Sequence, residues 1–217
     1  MSTEIRIFIA KIIAKYHSYD HPTVVAAFQS LLIYAIILLF PDPRQPPSGM
    51  FDLPTLAALR EFGLYITQSS LILAEEKAHT RPSWNDWVLV SCKRRSVMDL
   101  NLLVWINAMH NGFKNFPCAE SDLVPAPAGK LIWNMDSEEK WEVAYDRWLG
   151  RWAGLGIVTH GDLERPHGLN PDPRPELWLE EADEFGIMLI SLSKPPSMPD
   201  GIRFSVQLLM DIVDHAR

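Results

Sequence analysis

The run PTVVAAFQSLLIYAIILLF, residues 22–40, constrains the fold more than any other stretch. Nineteen nearly uninterrupted apolar residues either cross a bilayer or form the innermost helix of a packed domain. Gln29 and Ser30 sit near the middle, and the run stops at PDPR. Both features favour a core helix over a membrane span. A helix apolar on every side calls for other helices around it. The expectation is therefore an all-α protein, roughly a seven-helix orthogonal bundle around a central apolar helix, with 1–217 as a single domain.

The flanking patterns agree. Ile5, Phe8, Ile12 and Ile13 recur at helical spacing and predict a helix over 3–16, with Arg6, Lys11 and Lys15 between them. The charges mixed into that segment argue against a signal peptide. Asp52 as N-cap and Pro54 in the first turn predict a helix to about residue 77. Ser83 opens a long helix from Trp84 to about Gly112. Ser137 with Glu138 and Glu139 opens another through Trp152. Residues 153–175 read as a long loop, 176–192 as a helix and 202–215 as the last one. Strand signals are absent.

Composition removes several function classes. The formal net charge is −7, so no overall field draws the chain to phosphate and direct nucleic-acid binding is not expected. Cys92 and Cys118 lie far apart, with no zinc-ligand spacing and no expected disulfide. This suits a reducing cytoplasmic or nuclear location. His160 and His167, with Asp162 and Glu164 between them, make a weak metal pattern that surface polarity explains as well. Phosphate-loop, dinucleotide and nucleophile-elbow motifs are missing. No cofactor or metal is expected, nor any membrane partner.

Four segments carry a resemblance. They are EIRIFIAKIIAKYHSYDHPTVVAAFQSLLIYAIILLF, WNDWVLVSCKRRSV, LIWNMDSEEKWEVAYDRWL and EADEFGIMLISL. In this order, over about residues 3–192, they resemble the regulatory region of fungal zinc-cluster transcription factors. The resemblance implies an all-helical scaffold with an effector- or partner-binding role. The six-cysteine DNA-binding module has no counterpart here. Ser91 stands where the family carries an acidic residue before its Arg-Arg pair, and Asn134 where it carries Glu after Leu-Trp. Glu142, Asp146, Glu181, Asp183 or Glu184 could supply the missing carboxylate from other helices.

Three constellations could carry chemistry. Lys93-Arg94-Arg95 interrupts an apolar helical pattern. One arginine could pair with a carboxylate of the EADEFG segment, clamp an anionic ligand, or meet nucleic acid. In the same helix Asp99 stands four after Arg95, spaced for an ion pair. Facing inward, it would instead be a general acid or base. Asn107 and His110 share a face. His110 could transfer protons or cap helix carbonyls.

The third constellation is aromatic. Trp141, Tyr145, Trp148 and Trp152 fall at i, i+4, i+7 and i+11 on one face. With Trp84, Trp87 and Trp105 they could form a packed core, or wall a pocket for a flat apolar molecule. The candidate ligand-binding residues are thus Trp87, Arg95, Trp105, Asn107, Trp141, Tyr145 and Trp148. The candidate catalytic ones are Asp99 and His110.

Two functions follow as expectations. One is a free-standing relative of a regulatory domain, binding an apolar small molecule (polyketide- or terpenoid-like), a zinc-cluster transcription factor or a second copy of itself. The other is a cofactor-free cyclase, isomerase or dehydratase of fungal secondary metabolism that uses the same aromatic pocket.

Overall fold

The computed structural model describes residues 2–39, 53–110, 122–164 and 172–193. The chain is all-α. The described residues hold ten α-helices: α1 (Ser2–Ile13), α2 (His21–Leu39), α3 (Leu53–Gln68), α4 (Ala74–Lys77), α5 (Trp84–His110), α6 (Lys130–Trp133), α7 (Glu138–Arg151), α8 (His160–Glu164), α9 (Arg174–Glu181) and α10 (Glu184–Ser193). A short 3-10 turn, Tyr16–Ser18, joins α1 to α2. The one extended pairing among these residues is an antiparallel bridge between Pro125 and Thr159.

The apolar run forms α2. By length and composition alone it could cross a membrane, with a mean hydropathy of 2.1. One side is packed as a core helix: Phe28, Leu31 and Ala35 are fully buried. Its two central polar residues find partners inside the protein. Ser30 donates back to the Ala26 carbonyl at 2.8 Å, and the Gln29 side chain hydrogen-bonds Cys92 on α5. Asp20 caps the helix by accepting from the Thr23 N–H at 3.0 Å. The outer side keeps Ile33 and Ile37 exposed.

The centre belongs to α5 rather than to α2 alone. Its 27 residues make a rod about 40 Å long, and α2, α3 and α7 all pack on it. Val97, Met98, Leu100, Leu103 and Val104 enter one core with Phe28, Leu31, Leu59, Phe62 and Leu189. Further toward its N-terminus, Trp87 joins a second core with Ile132, Trp141 and Tyr145. A third gathers Ala126, Trp152, Val158 and Trp178. The Ser83 hydroxyl caps α5 by accepting from Asp86 N–H at 3.2 Å.

Several boundaries differ from expectation, each for a local reason. The helix expected over 52–77 ends at Gln68. Ser69 donates its hydroxyl to the Ile66 carbonyl at 2.7 Å, and Ser70 bonds around Ile72. Such side-chain bonds compete with the helical ladder. The helix expected over 176–192 breaks into α9 and α10 at Asp183, whose carboxylate accepts from Gly186 N–H at 2.9 Å and starts a new helix. The expected loop 153–175 contains α8, opened by reciprocal Thr159–Asp162 bonds of 3.1 and 3.3 Å. The expected Asp52 cap, Gly112, Cys118, His167 and the helix over 202–215 lie outside the described residues.

Gly63 marks where α3 crosses α5. A Cβ built there would stand 2.4 Å from Leu100 Cδ2 and 3.6 Å from the Phe28 ring. Gly63→Val forces these helices apart and is expected to cost about 2 kcal/mol. A thermal melt would read this as a fall of about 4–8 °C in Tm.

Candidate functional site

The chemistry-bearing residues concentrate along α5, beginning with Lys93-Arg94-Arg95. Successive residues on a helix turn by about 100°, so the three side chains leave the axis in three directions. Lys93 and Arg94 are buried and Arg95 nearly so, and each meets a different neighbour.

Arg95 pairs with Asp183 at 2.6 Å. Its guanidinium lies 4.0 Å from the centre of the Trp133 ring and 5.0 Å from that of Phe185. The expected pairing with the EADEFG segment is thus present, and Asp183 serves at once as ion-pair partner and N-cap of α10. Arg94 makes a bidentate pair with Glu76, with the Nη1–Oε1 contact at 2.9 Å. It also donates through Nε to the Leu71 carbonyl at 2.6 Å. Glu76 in turn accepts from Leu73 N–H at 3.0 Å at the start of α4. Lys93 differs from both. Its ammonium group meets His21 Nε2 at 2.7 Å and Ser69 Oγ at 2.9 Å, both uncharged partners. Burial pushes its pKa down.

Asp99 makes no ion pair with Arg95. Among the described residues its carboxylate has neither a hydrogen-bond nor an ion-pair partner. Burial raises its pKa to about 7, against the opposing pull of the Arg95 guanidinium. His110 is the last residue of α5, and its side chain lies outside the described residues. Eleven residues separate it from Asp99, which is about 16 Å along a rigid helix. Asn107 is buried, and Trp105 is half-buried, apart from the aromatic clusters.

The aromatic face is continuous. Ring centres follow one another from Trp87 to Trp141 at 5.3 Å, to Tyr145 at 4.9 Å, to Trp148 at 5.4 Å and to Trp152 at 5.8 Å. Trp141 and Tyr145 are 1% exposed and Trp152 is 2% exposed, so these rings fill the interior. A cavity beside Trp87, Tyr145, Trp148 and Trp152 holds about 60 Å³. That is room for a water or two and far below the 300 Å³ or so where ligand pockets begin. Of the two arrangements its spacing allowed, this face forms the packed core in this region. Trp141 Nε1 and the Tyr145 hydroxyl are buried in it without a partner among the described residues.

Two larger spaces lie at the edges. A groove of about 290 Å³ runs over Leu131, Ile132, Met135, Val143 and Ala144, with Trp148 at its floor. Lys140, Arg147 and Arg151 rim it. Lys140 is held by Asp136 at 2.7 Å, and Arg151 by Glu180 and Glu181. Arg147 has no ionic partner among the described residues. A second cleft of about 370 Å³ lies between the start of α2 and the end of α3, lined by Tyr19, His21, Val24, Tyr65, Ile66, Gln68 and Ser69. Neither space followed from helical periodicity, because their walls come from segments far apart in the chain. His160 is buried on α8, and no group of three or more metal-ligating side chains occurs among the described residues.

Two outcomes follow for stability. Arg94→Met leaves Glu76 buried and bare and is expected to cost about 3–5 kcal/mol. Combining it with Glu76→Gln recovers about half, as read by urea unfolding. Asp99 binds its proton more tightly folded than unfolded. Its contribution is therefore fully present below about pH 4 and lost as pH rises through about 7. Asp99→Asn is expected to be more stable than the parent at pH 8, by up to about 4 kcal/mol, with the gap closing at pH 4.

No protein-family model matches the chain, and no curated protein or solved structure matches it.

Proposed function

We propose that this chain is a ligand-binding helical protein on a scaffold like the regulatory region of fungal zinc-cluster transcription factors, without DNA binding of its own. The ligand is a small apolar molecule carrying one anionic group, a class that includes acidic polyketides and terpenoids. The observation that carries the reading is the groove between α6 and α7. It combines an apolar floor with an unmatched cation, Arg147, at its rim. Leu131 is 71% exposed and Val143 53% exposed, so an apolar body laid there covers surface that now faces water. At about 290 Å³ the groove suits one ring system or short chain, not a large substrate.

The scaffold part of the reading draws support from how the four resembling segments meet. The second touches the fourth through Arg95–Asp183 and the third through Trp87–Trp141. It touches the first through Lys93–His21. A cytoplasmic or nuclear location belongs to the same reading and fits the free, part-buried thiol of Cys92. The alternative, a cofactor-free cyclase, isomerase or dehydratase, needs an acid or base facing a cavity. Asp99, the candidate acid or base on α5, lines none of the three spaces described above.

Laurate, an apolar chain with one carboxylate, is the probe of choice. It is expected to bind with a dissociation constant in the micromolar range and to change the emission of Trp148, which lines the groove. Arg147→Gln should weaken binding about tenfold, since a charge-assisted contact is worth about 1.5 kcal/mol or more, and Val143→Asp should weaken it further. Unchanged laurate affinity in both variants would overturn the reading.

A further inference from the structure

The three cations of α5 are matched unequally. Arg94 has the Glu76 carboxylate and Arg95 has Asp183. Lys93 is 2% exposed, yet meets only an imidazole and a hydroxyl, His21 at 2.7 Å and Ser69 at 2.9 Å. No carboxylate among the described residues reaches it. A buried ammonium without a counter-charge is costly, and the amine relieves that cost by giving up its proton. Desolvation in this way turns a lysine into a nucleophile. Both partners of Lys93 also line the 370 Å³ cleft, so its nitrogen sits one hydrogen bond behind the cleft wall. Tyr19, Tyr65, Val24 and Ile66 give that cleft an aromatic and aliphatic lining, while Gln68 and Ser69 add polar groups.

We infer that Lys93 is a reactive amine that captures a small aldehyde or ketone with an apolar or aromatic body as an imine in this cleft. The Lys93 nitrogen pair adds to the carbonyl carbon while the C=O π pair moves to oxygen. His21 takes one proton from nitrogen and passes it to the alkoxide, which gives a neutral carbinolamine. The remaining N–H proton moves through His21 to the hydroxyl, which leaves as water as the C=N bond forms. Carbonyl compound and amine go in, imine and one water come out, and no oxidant or reductant is consumed.

The groups that face Lys93 set its pH behaviour. His21 comes from α2 and Ser69 from the end of α3, while Arg94 turns away to Glu76. Burial lowers the pKa of Lys93, and burial together with Lys93 lowers that of His21. The amine is therefore free at lower pH than that of an exposed lysine.

The test uses the full native chain with benzaldehyde and sodium cyanoborohydride at pH 7. The hydride traps each imine as a stable benzylamine, and peptide mass spectrometry locates it. Lys93 is expected to be benzylated severalfold faster than the exposed Lys11, Lys15 and Lys140, since its lowered pKa raises the free-amine fraction at pH 7. Its labelling rate should also level off at lower pH than theirs, and the preference should vanish in denaturant. Labelling of Lys93 no faster than that of the exposed lysines would overturn the proposal. So would a pH profile matching theirs. Both readouts use the parent protein, so they stand whether or not Lys93→Arg, the variant that removes the amine, folds.

Discussion

Burying three consecutive cations on one helix is the constraint that the rest of this fold must meet. A helix cannot turn all three toward solvent, and α5 turns none of them fully there. Each charge therefore demands a neighbour on a different side. Arg94 recruits the turn after α3 and the short α4, because only a carboxylate placed there reaches it. Arg95 recruits the break between α9 and α10. Lys93 recruits the start of α2 and the end of α3. Apolar packing supplies most of the favourable free energy of such a domain. Interdigitated side chains limit rotation of one helix about another, and directional charge pairs add an angular constraint of their own. The triplet thus fixes the angular position of three surrounding layers around α5.

Much of this was legible from residue order. The apolar period located α2, α5 and α7 to within a few residues, since their patterns are long and their caps, Ser83 and Ser137, are local. The pairing of an arginine of the triplet with the EADEFG segment was legible too, because a buried guanidinium has few other ways to be satisfied. What was not legible depends on contacts distant in sequence. Asp183 breaks its helix because it must cap α10 and face Arg95 together. The Lys93 environment was hidden because its partners stand 24 and 72 residues away, and neither is a carboxylate that spacing would flag.

The aromatic face shows the limit of periodicity most plainly. Spacing placed four rings on one side of α7, and they are there. Whether such a face lines space or fills it depends on what packs opposite. Here Trp87 comes from α5, Ile132 from α6 and Trp178 from α9, and Trp178 donates to the Pro127 carbonyl at 2.8 Å. The interior closes to a void of water size. Open surface remains at the flank of α7, where Val143 and Arg147 point outward, and no property of the four rings announces it.

The placement of α5 in the middle of the chain also has a consequence for the order in which its charges are matched as the chain leaves the ribosome. His21, Ser69, Leu71 and Glu76 all precede the triplet. Lys93 and Arg94 can close their contacts as soon as α5 emerges. Arg95 cannot, because Asp183 follows it by 88 residues. Through the synthesis of α6 to α9 the nascent chain lacks the carboxylate that Arg95 bonds in the folded protein. Asp183 supplies that carboxylate only once the start of α10 has been made.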